Sequence, residues 1–386
     1  MMSKTQNRFA GRAAVAALGV SVLSGSALAF DIPFFLTPLG DLEGGDFFST
    51  AWGLNDNGMV VGTGTNSDNE LQAFMWNEMD GMTAVPGLDV PQGSTARGIN
   101  NDGVIVGFSS PTGSGQNDVN AFVYKDGAID YIFDGNPQVR WSRGWGISGD
   151  VGYGWVGAGG GTLVGYTYDV NTEVTTLYET PGYRSTLVRG YNANTGFAVG
   201  TSYNVDTVDS IATVWDADMN ATVLGVLAGF DESRATAITD DGIVIGASGR
   251  MNFEQREAFK WTANDGLMSL GLLAGFDNTG ASAISDDGSI ILGRAYNVEE
   301  DDGVGTYWTE DTGWVDINTI VQDLDGYLVY GTKGFNEDGW VIADAFNPNG
   351  DVEAVLLRPI PGPASIALLA LGGILLTGGR RRRVEA

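Results

Sequence analysis

Gly98-Ile99-Asn100-Asn101-Asp102-Gly103-Val104-Ile105-Val106-Gly107 reads as two short strands around a tight polar turn. The Asn/Asp/Gly cluster supplies the φ > 0 positions of a hairpin, and the β-branched run after it is a strand. The same ten-residue pattern stands at Gly53-Leu54-Asn55-Asp56-Asn57-Gly58-Met59-Val60-Val61-Gly62. It returns at Gly146-Ile147 with Trp155-Val156-Gly157, at Gly190-Tyr191-Asn192 to Val199-Gly200, and at Ala237-Ile238 to Ile245-Gly246. Two further copies run from Ala283-Ile284 to Leu292-Gly293 and from Gly334-Phe335 to Ile342-Ala343. With the apolar residue as marker the copies fall at 54, 99, 147, 191, 238, 284 and 335, spaced by 45, 48, 44, 47, 46 and 51 residues. A near-constant period of this size is the signature of a repeat architecture.

Each copy holds material for four strands. After the hairpin comes an Ala-Phe-x-Trp strand, as in Ala73-Phe74-Met75-Trp76 and Ala258-Phe259-Lys260-Trp261, and a fourth follows a second turn, as in Leu267-Met268-Ser269-Leu270. Four strands per repeat of this length predict an all-β, seven-bladed β-propeller. The ends support closure. The seventh copy has its third strand at Ala354 to Leu357 and then meets Pro359, so it lacks a fourth. Ahead of the first copy lies Phe34-Phe35-Leu36-Thr37-Pro38-Leu39-Gly40-Asp41-Leu42, which matches the fourth strands elsewhere, such as Val223-Leu224-Gly225-Val226-Leu227. Pairing the two hides both sheet edges. A solenoid, the rival, would need caps.

The pattern Gly-Ile-Asn-x-x-Gly-x-Val-Val-Gly followed by Ala-Phe-x-Trp resembles the HAF-type extracellular repeat, whose members often end in a PEP-CTERM sorting signal. The resemblance spans most of residues 30 to 386. The family's His is missing here, with Gln72, Asn120, Glu257 and Glu353 in front of the Ala, and so is any metal or proton role at that position.

Three segments follow: a leader over 1–29, the propeller over 30–358 and a tail over 359–386. Lys4, Arg8 and Arg12, an apolar run from Ala13 to Leu23, and Ala27-Leu28-Ala29 form a secretory signal peptide rather than a buried helix. The tail carries Pro361-Gly362-Pro363, an apolar stretch from Ala364 to Thr377, and Arg380, Arg381, Arg382 and Arg383. It is similar to a PEP-CTERM signal, with Pro-Gly-Pro in place of Pro-Glu-Pro. The resemblance implies Sec export through the inner membrane, an exosortase-type processing enzyme, and the cell surface or extracellular matrix of a Gram-negative bacterium. The membrane is then met at least transiently through the C-terminal helix; a permanent anchor is the alternative.

Of 386 residues 20 are basic and 48 acidic, and there is no His and no Cys. Zinc sites of the usual kind, thiol nucleophiles, Ser-His-Asp triads and disulfides are excluded. Without leader and tail the body keeps thirteen basic and forty-seven acidic residues, a net of −34. Such a surface repels nucleic acid, and no DNA-binding role is expected.

Three places are candidates for chemistry. One residue before the marker every copy has Gly or Ala, suited to inner strands whose backbones converge on a central axis. Two residues before it stand Trp52, Arg97, Trp145, Arg189, Thr236, Ser282 and Lys333. Facing the channel, these form a partly basic, partly aromatic ring suited to a small anion or a sugar acid; facing between blades, they are packing residues and ion pairs. The loop Glu299, Glu300, Asp301 and Asp302 is a Ca²⁺ candidate, while the repeated acidic turns read as solvated hairpins. The segment from Arg140 to Arg189 gathers Trp141, Trp145, Tyr153 and Trp155, as glycan-stacking or interface aromatics. No enzyme signature and no obligate cofactor stand out. The expected role is a non-catalytic propeller that binds or organises a glycan, an exopolysaccharide or another envelope component. The alternative is an extracellular carboxylate-based glycan hydrolase or lyase.

Overall fold

A computed structural model describes residues 33–45, 48–88, 93–110, 119–136, 138–204, 210–250, 255–298 and 302–360. Residues 1–32 and 361–386 lie outside them, so the expected leader and all but the first two residues of the expected tail are not described. The chain forms seven antiparallel sheets in sequence order, a seven-bladed β-propeller. Blade 1 is representative: Ser49–Leu54 innermost, then Val60–Thr65, Leu71–Asn77 and Gly81–Ala84. The inner strand of each blade touches the inner strand of the next all the way round.

Closure follows the sequence reading. Phe34–Pro38 runs antiparallel to Val352–Pro359 from Phe34↔Pro359 to Pro38↔Val355 and so supplies the fourth strand of blade 7. A two-residue strand, Val321–Gln322, adds a fifth, parallel edge outside it, which the repeat pattern did not announce.

The repeat residues explain the seams. In the third strand of six blades a backbone N–H donates to a hydroxyl of the next blade, Gly165 to Thr186 in blade 3 among them, whereas in blade 6 the Thr332 hydroxyl of blade 7 accepts from Gly293 on the second strand. Ala73 donates to Ser94 at 2.9 Å, Ala121 to Ser142 at 2.8 Å, Ala212 to Ser233 at 2.8 Å and Ala258 to Thr279 at 3.1 Å. At the closing seam Ala354 donates to Ser49 at 3.1 Å, the same bond across 305 residues. Ser49 in turn donates to the Gly40 carbonyl at 2.9 Å, as Ser233 does to Gly225 at 2.6 Å. The motif Asn has two tasks. Asn100 Oδ1 accepts from Val104 N–H at 2.8 Å and closes its own turn, while Nδ2 donates to the Gly149 carbonyl of the next blade at 3.0 Å. Asn55 repeats this toward Asn100, and Asn336 toward Asn55 across the closure.

Between the blades lie seven apolar clusters among the described residues, one per seam. At the closing seam Val60, Phe74 and Trp76 pack on Ile342, Ala354 and Leu356. Every joint of the ring is thus held by buried apolar contact, more at the seam of blades 6 and 7 than at that of blades 3 and 4.

Blade 3 departs from the expected alignment. Its hairpin is shorter, and Gly154, not Gly157, holds the closing-glycine place opposite the inner strand. A Cβ on Gly154 would sit 1.9 Å from the Arg143 carbonyl, and one on Gly62 2.1 Å from that of Thr50, so both positions demand glycine.

Candidate functional site

The inner strands converge as the small-residue column implies. A Cβ on Gly98 would lie 2.8 Å from the Ile147 nitrogen and 3.0 Å from the Gly146 Cα. One residue earlier, every inner strand carries a β-bulge. Pairing skips Trp52, Arg97, Trp145, Arg189, Thr236, Ser282 and Lys333 in turn. A bulged residue leaves the ladder and its side chain is re-aimed, which is how sheets present groups to a site.

Five of the seven side chains meet. Lys333 Nζ lies 3.6 Å from the Trp52 ring centroid, and the Arg97 guanidinium lies 3.7 Å from that ring and 3.7 Å from Trp145. Arg189 follows at 5.3 Å from Trp145 and 5.5 Å from Trp155, which itself lies 4.7 Å from Trp145. The order Lys333, Trp52, Arg97, Trp145, Arg189 alternates cation and aromatic through blades 7, 1, 2, 3 and 4. Such contacts contribute about 0.5–1 kcal/mol when exposed and about 2 kcal/mol when desolvated. Thr236 and Ser282 complete the ring without joining the stack; Ser282 donates to the Thr332 carbonyl at 2.8 Å.

Charge balance differs along the arc. Lys333 is paired with the buried Asp344, which also accepts from Thr50 at 2.9 Å. Burial lowers the Lys333 pKa and Asp344 opposes that shift. Arg97 and Arg189 have no carboxylate within ion-pair distance among the described residues, and their buried Nε atoms lack hydrogen-bond partners. Burial brings Arg97 down to about 9, with Arg189 and Arg143 pushing the same way and Tyr153 opposing. Arg189 falls to about 10 for the same leading reason, helped by Arg234.

Two cavities flank the arc, and Trp52 lines both. One of about 170 Å³ is walled by Arg97, Tyr153, Leu54, Ile147 and Phe335. The other, of about 370 Å³, lies against Lys333, Asp344, Arg294, Tyr330 and Phe48. Tyr153, Asp344 and Tyr330 were not singled out for the column by sequence. Tyr153 pairs across the hairpin with Gly146, and a Cβ at Gly146 would lie 2.3 Å from the Tyr153 hydroxyl, so the missing side chain is what admits the ring. Burial raises its hydroxyl to about 12.

Of the Ca²⁺ candidates, Glu299, Glu300 and Asp301 lie outside the described residues, and Asp302 opens the strand Asp302–Thr309 with a buried Oδ1 that has no partner among the described residues. Among the described residues no group of three or more acidic side chains is placed to hold a metal ion. Pro361, Gly362, Pro363 and Arg380 to Arg383 also lie outside them. Among the described residues no helix is long and apolar enough to cross a membrane. In the aromatic segment Trp145 and Trp155 join the stack, while Trp141 lies 6.0 Å from the Arg143 guanidinium.

No family model matches the chain, and no curated protein matches it. Solved structures do. The chain is similar to a puromycin hydrolase at a TM-score of 0.56 and 11% identity, over 81% of this chain and 53% of that one. It is similar to a Mycobacterium tuberculosis puromycin-hydrolyzing peptidase at 0.51 and 12%, over 82% and 52%. The Dos1 propeller matches at 0.50 and 11%, over 85% of this chain and 95% of that one. The chain thus spans about half the length of the two hydrolases. At these identities the likeness is one of fold: the protein belongs with seven-bladed β-propellers.

Proposed function

We propose that this chain is a secreted, surface-sorted, non-catalytic binding propeller that takes a glycan or another envelope component at its channel. The observation that carries the reading is the arc of Lys333, Trp52, Arg97, Trp145 and Arg189, in which two guanidinium Nε atoms are buried with no partner among the described residues. Polar groups buried in that way cost stability, and a ligand that accepts their hydrogen bonds is one arrangement that offsets it. The leader, the PEP-CTERM-like tail and the HAF-like repeat support an address on the envelope of a Gram-negative bacterium.

A glycan panel titrated with the full-length protein tests this. Saturable binding with no change in the glycan is the expected result. New reducing ends or unsaturated products would replace it with the hydrolase or lyase reading. No binding to any envelope glycan or envelope extract would remove the proposal.

A further inference from the structure

The small cavity beside Arg97 has the parts of an anion seat. Both faces of the Arg97 guanidinium are covered by indoles, at 3.7 Å on each ring, so only its N–H edge is open. No side chain or backbone acceptor meets that edge among the described residues, and Nε is fully buried. Tyr153 lines the same cavity. A bare glycine, Gly146, gives it the room to do so. Arg143 and Arg189 bring two more buried, unpartnered Nε atoms close enough to act on Arg97 or its neighbours. Lys333 differs, because Asp344 already neutralises it. The positive charge therefore concentrates on the Arg97 side of the channel, inside a body of net −34.

A fork of in-plane donors with both faces blocked accepts a planar, two-oxygen partner edge-on, and the second donor from Tyr153 makes that preference stronger. The rest of the wall sets the apolar side chains of Leu54, Ile99, Ile147 and Phe335 among the bare backbones of Gly53, Gly98, Gly146 and Gly334. We infer that the channel holds a carboxylate-specific seat for a singly charged small ligand, the carboxylate lying in the plane of the Arg97 guanidinium and accepting from Tyr153. This deepens the binding reading above and rests on it only for the location of the site. Two sources fit the shared chemistry: a sugar acid, or a short carboxylic acid with an apolar body.

The test is tryptophan fluorescence of the full-length protein, because Trp52 and Trp145 are the rings in contact with Arg97. Galacturonate, butyrate, galactose and inorganic phosphate are titrated separately at pH 7. Saturable change with galacturonate or butyrate, and at least tenfold weaker response to galactose and phosphate, is expected; the tighter of the two acids identifies the source. Arg97→Lys keeps the charge and removes the fork, so a loss of about tenfold is expected, and Tyr153→Phe should lose several-fold with an unchanged unfolding midpoint. Equal response to galactose and galacturonate, response to neither acid, or undiminished affinity in both variants overturns the seat. Neutral glycans bound at the channel in the absence of any acid response would leave the binding reading standing and the carboxylate inference refuted. Failure of the whole glycan panel with butyrate still bound would do the reverse.

Discussion

Blades 5 and 6 are an internal control for the other five. Their inner strands carry the same bulge at the same place, yet present Thr236 and Ser282 where the arc presents Arg, Trp or Lys. The bulge is therefore a property of the backbone of this ring, and cations and indoles are not required to make it. In the arc the side chains do something the fold does not ask for: they bring unpaired guanidinium groups out of water, at an energetic penalty visible in the lowered pKa of Arg97 and Arg189. A second contrast runs in parallel. The small-residue column is glycine at 53, 98, 146, 190 and 334 but alanine at 237 and 283; a Cβ would meet backbone of the next blade at Gly53, Gly98 and Gly190 and the Tyr153 ring at Gly146, while Gly334 has room for one.

That second contrast gives the largest expected effect. Gly98→Ala forces a methyl against backbone atoms of Ile147 and Gly146 and should destabilise the protein by about 1–3 kcal/mol. Ala283→Gly, the reverse change in blade 6, should stay below about 1 kcal/mol. Denaturant melts of the two variants compare them, and equal losses would erase the distinction between the arc and the rest.

Next comes the exchange of side chains at the bulge. Arg97→Thr installs the residue of blade 5 in blade 2. Two cation–π contacts are lost and a buried unsatisfied group is removed, terms of similar size and opposite sign, so the unfolding free energy should move by no more than about 1 kcal/mol. A loss of about 3 kcal/mol or more would make Arg97 a structural pillar of the channel instead of a group held for a ligand.

The turn ring sharpens the comparison at a smaller scale. Asn100→Ala breaks both the bond to Val104 and the bond to Gly149 and should lower stability by about 1 kcal/mol. Thr239, at the same place in blade 5, accepts only from its own turn, through Ile243 N–H, so Thr239→Ala should give a smaller change in the same melt.

The smallest effect belongs to the closing seam. Burial first, then Glu353 and Asp351, raise the Asp41 carboxyl above the ordinary range. A carboxyl raised in the folded state stabilises it at pH below the unfolded value, and that contribution disappears as pH rises through the folded value. Asp41→Asn should therefore raise the midpoint of thermal unfolding slightly at pH 7, an effect reduced by solvent screening, and leave it unchanged near pH 3. A gain confined to acid pH would reverse the assignment.

Much of this was legible beforehand because the repeat overdetermines it. Asn100, Gly98 and Gly107 recur for reasons of turn geometry and close approach, and the orphan strand at Phe34 matched the missing one after Val355. The column of Trp52, Arg97, Trp145, Arg189 and Lys333 could be listed from spacing alone. Its direction could not, because a bulge shifts every later residue to the other face and leaves no local mark in sequence. The shorter hairpin of blade 3 misaligned Gly157 with Gly154 for a similar reason. Tyr153 and Asp344 sit on second strands, where nothing in the spacing ties them to an inner-strand column one hairpin away.

The most direct test of the arc as a ligand seat is a crystal structure of the full-length protein grown with galacturonate. The expected result is carboxylate density in the plane of Arg97, between its N–H edge and the Tyr153 hydroxyl, with Trp52 and Trp145 still covering the guanidinium. Sugar bound only on the outer blades, with the Arg97 edge occupied by a carboxylate of the protein itself, would contradict it.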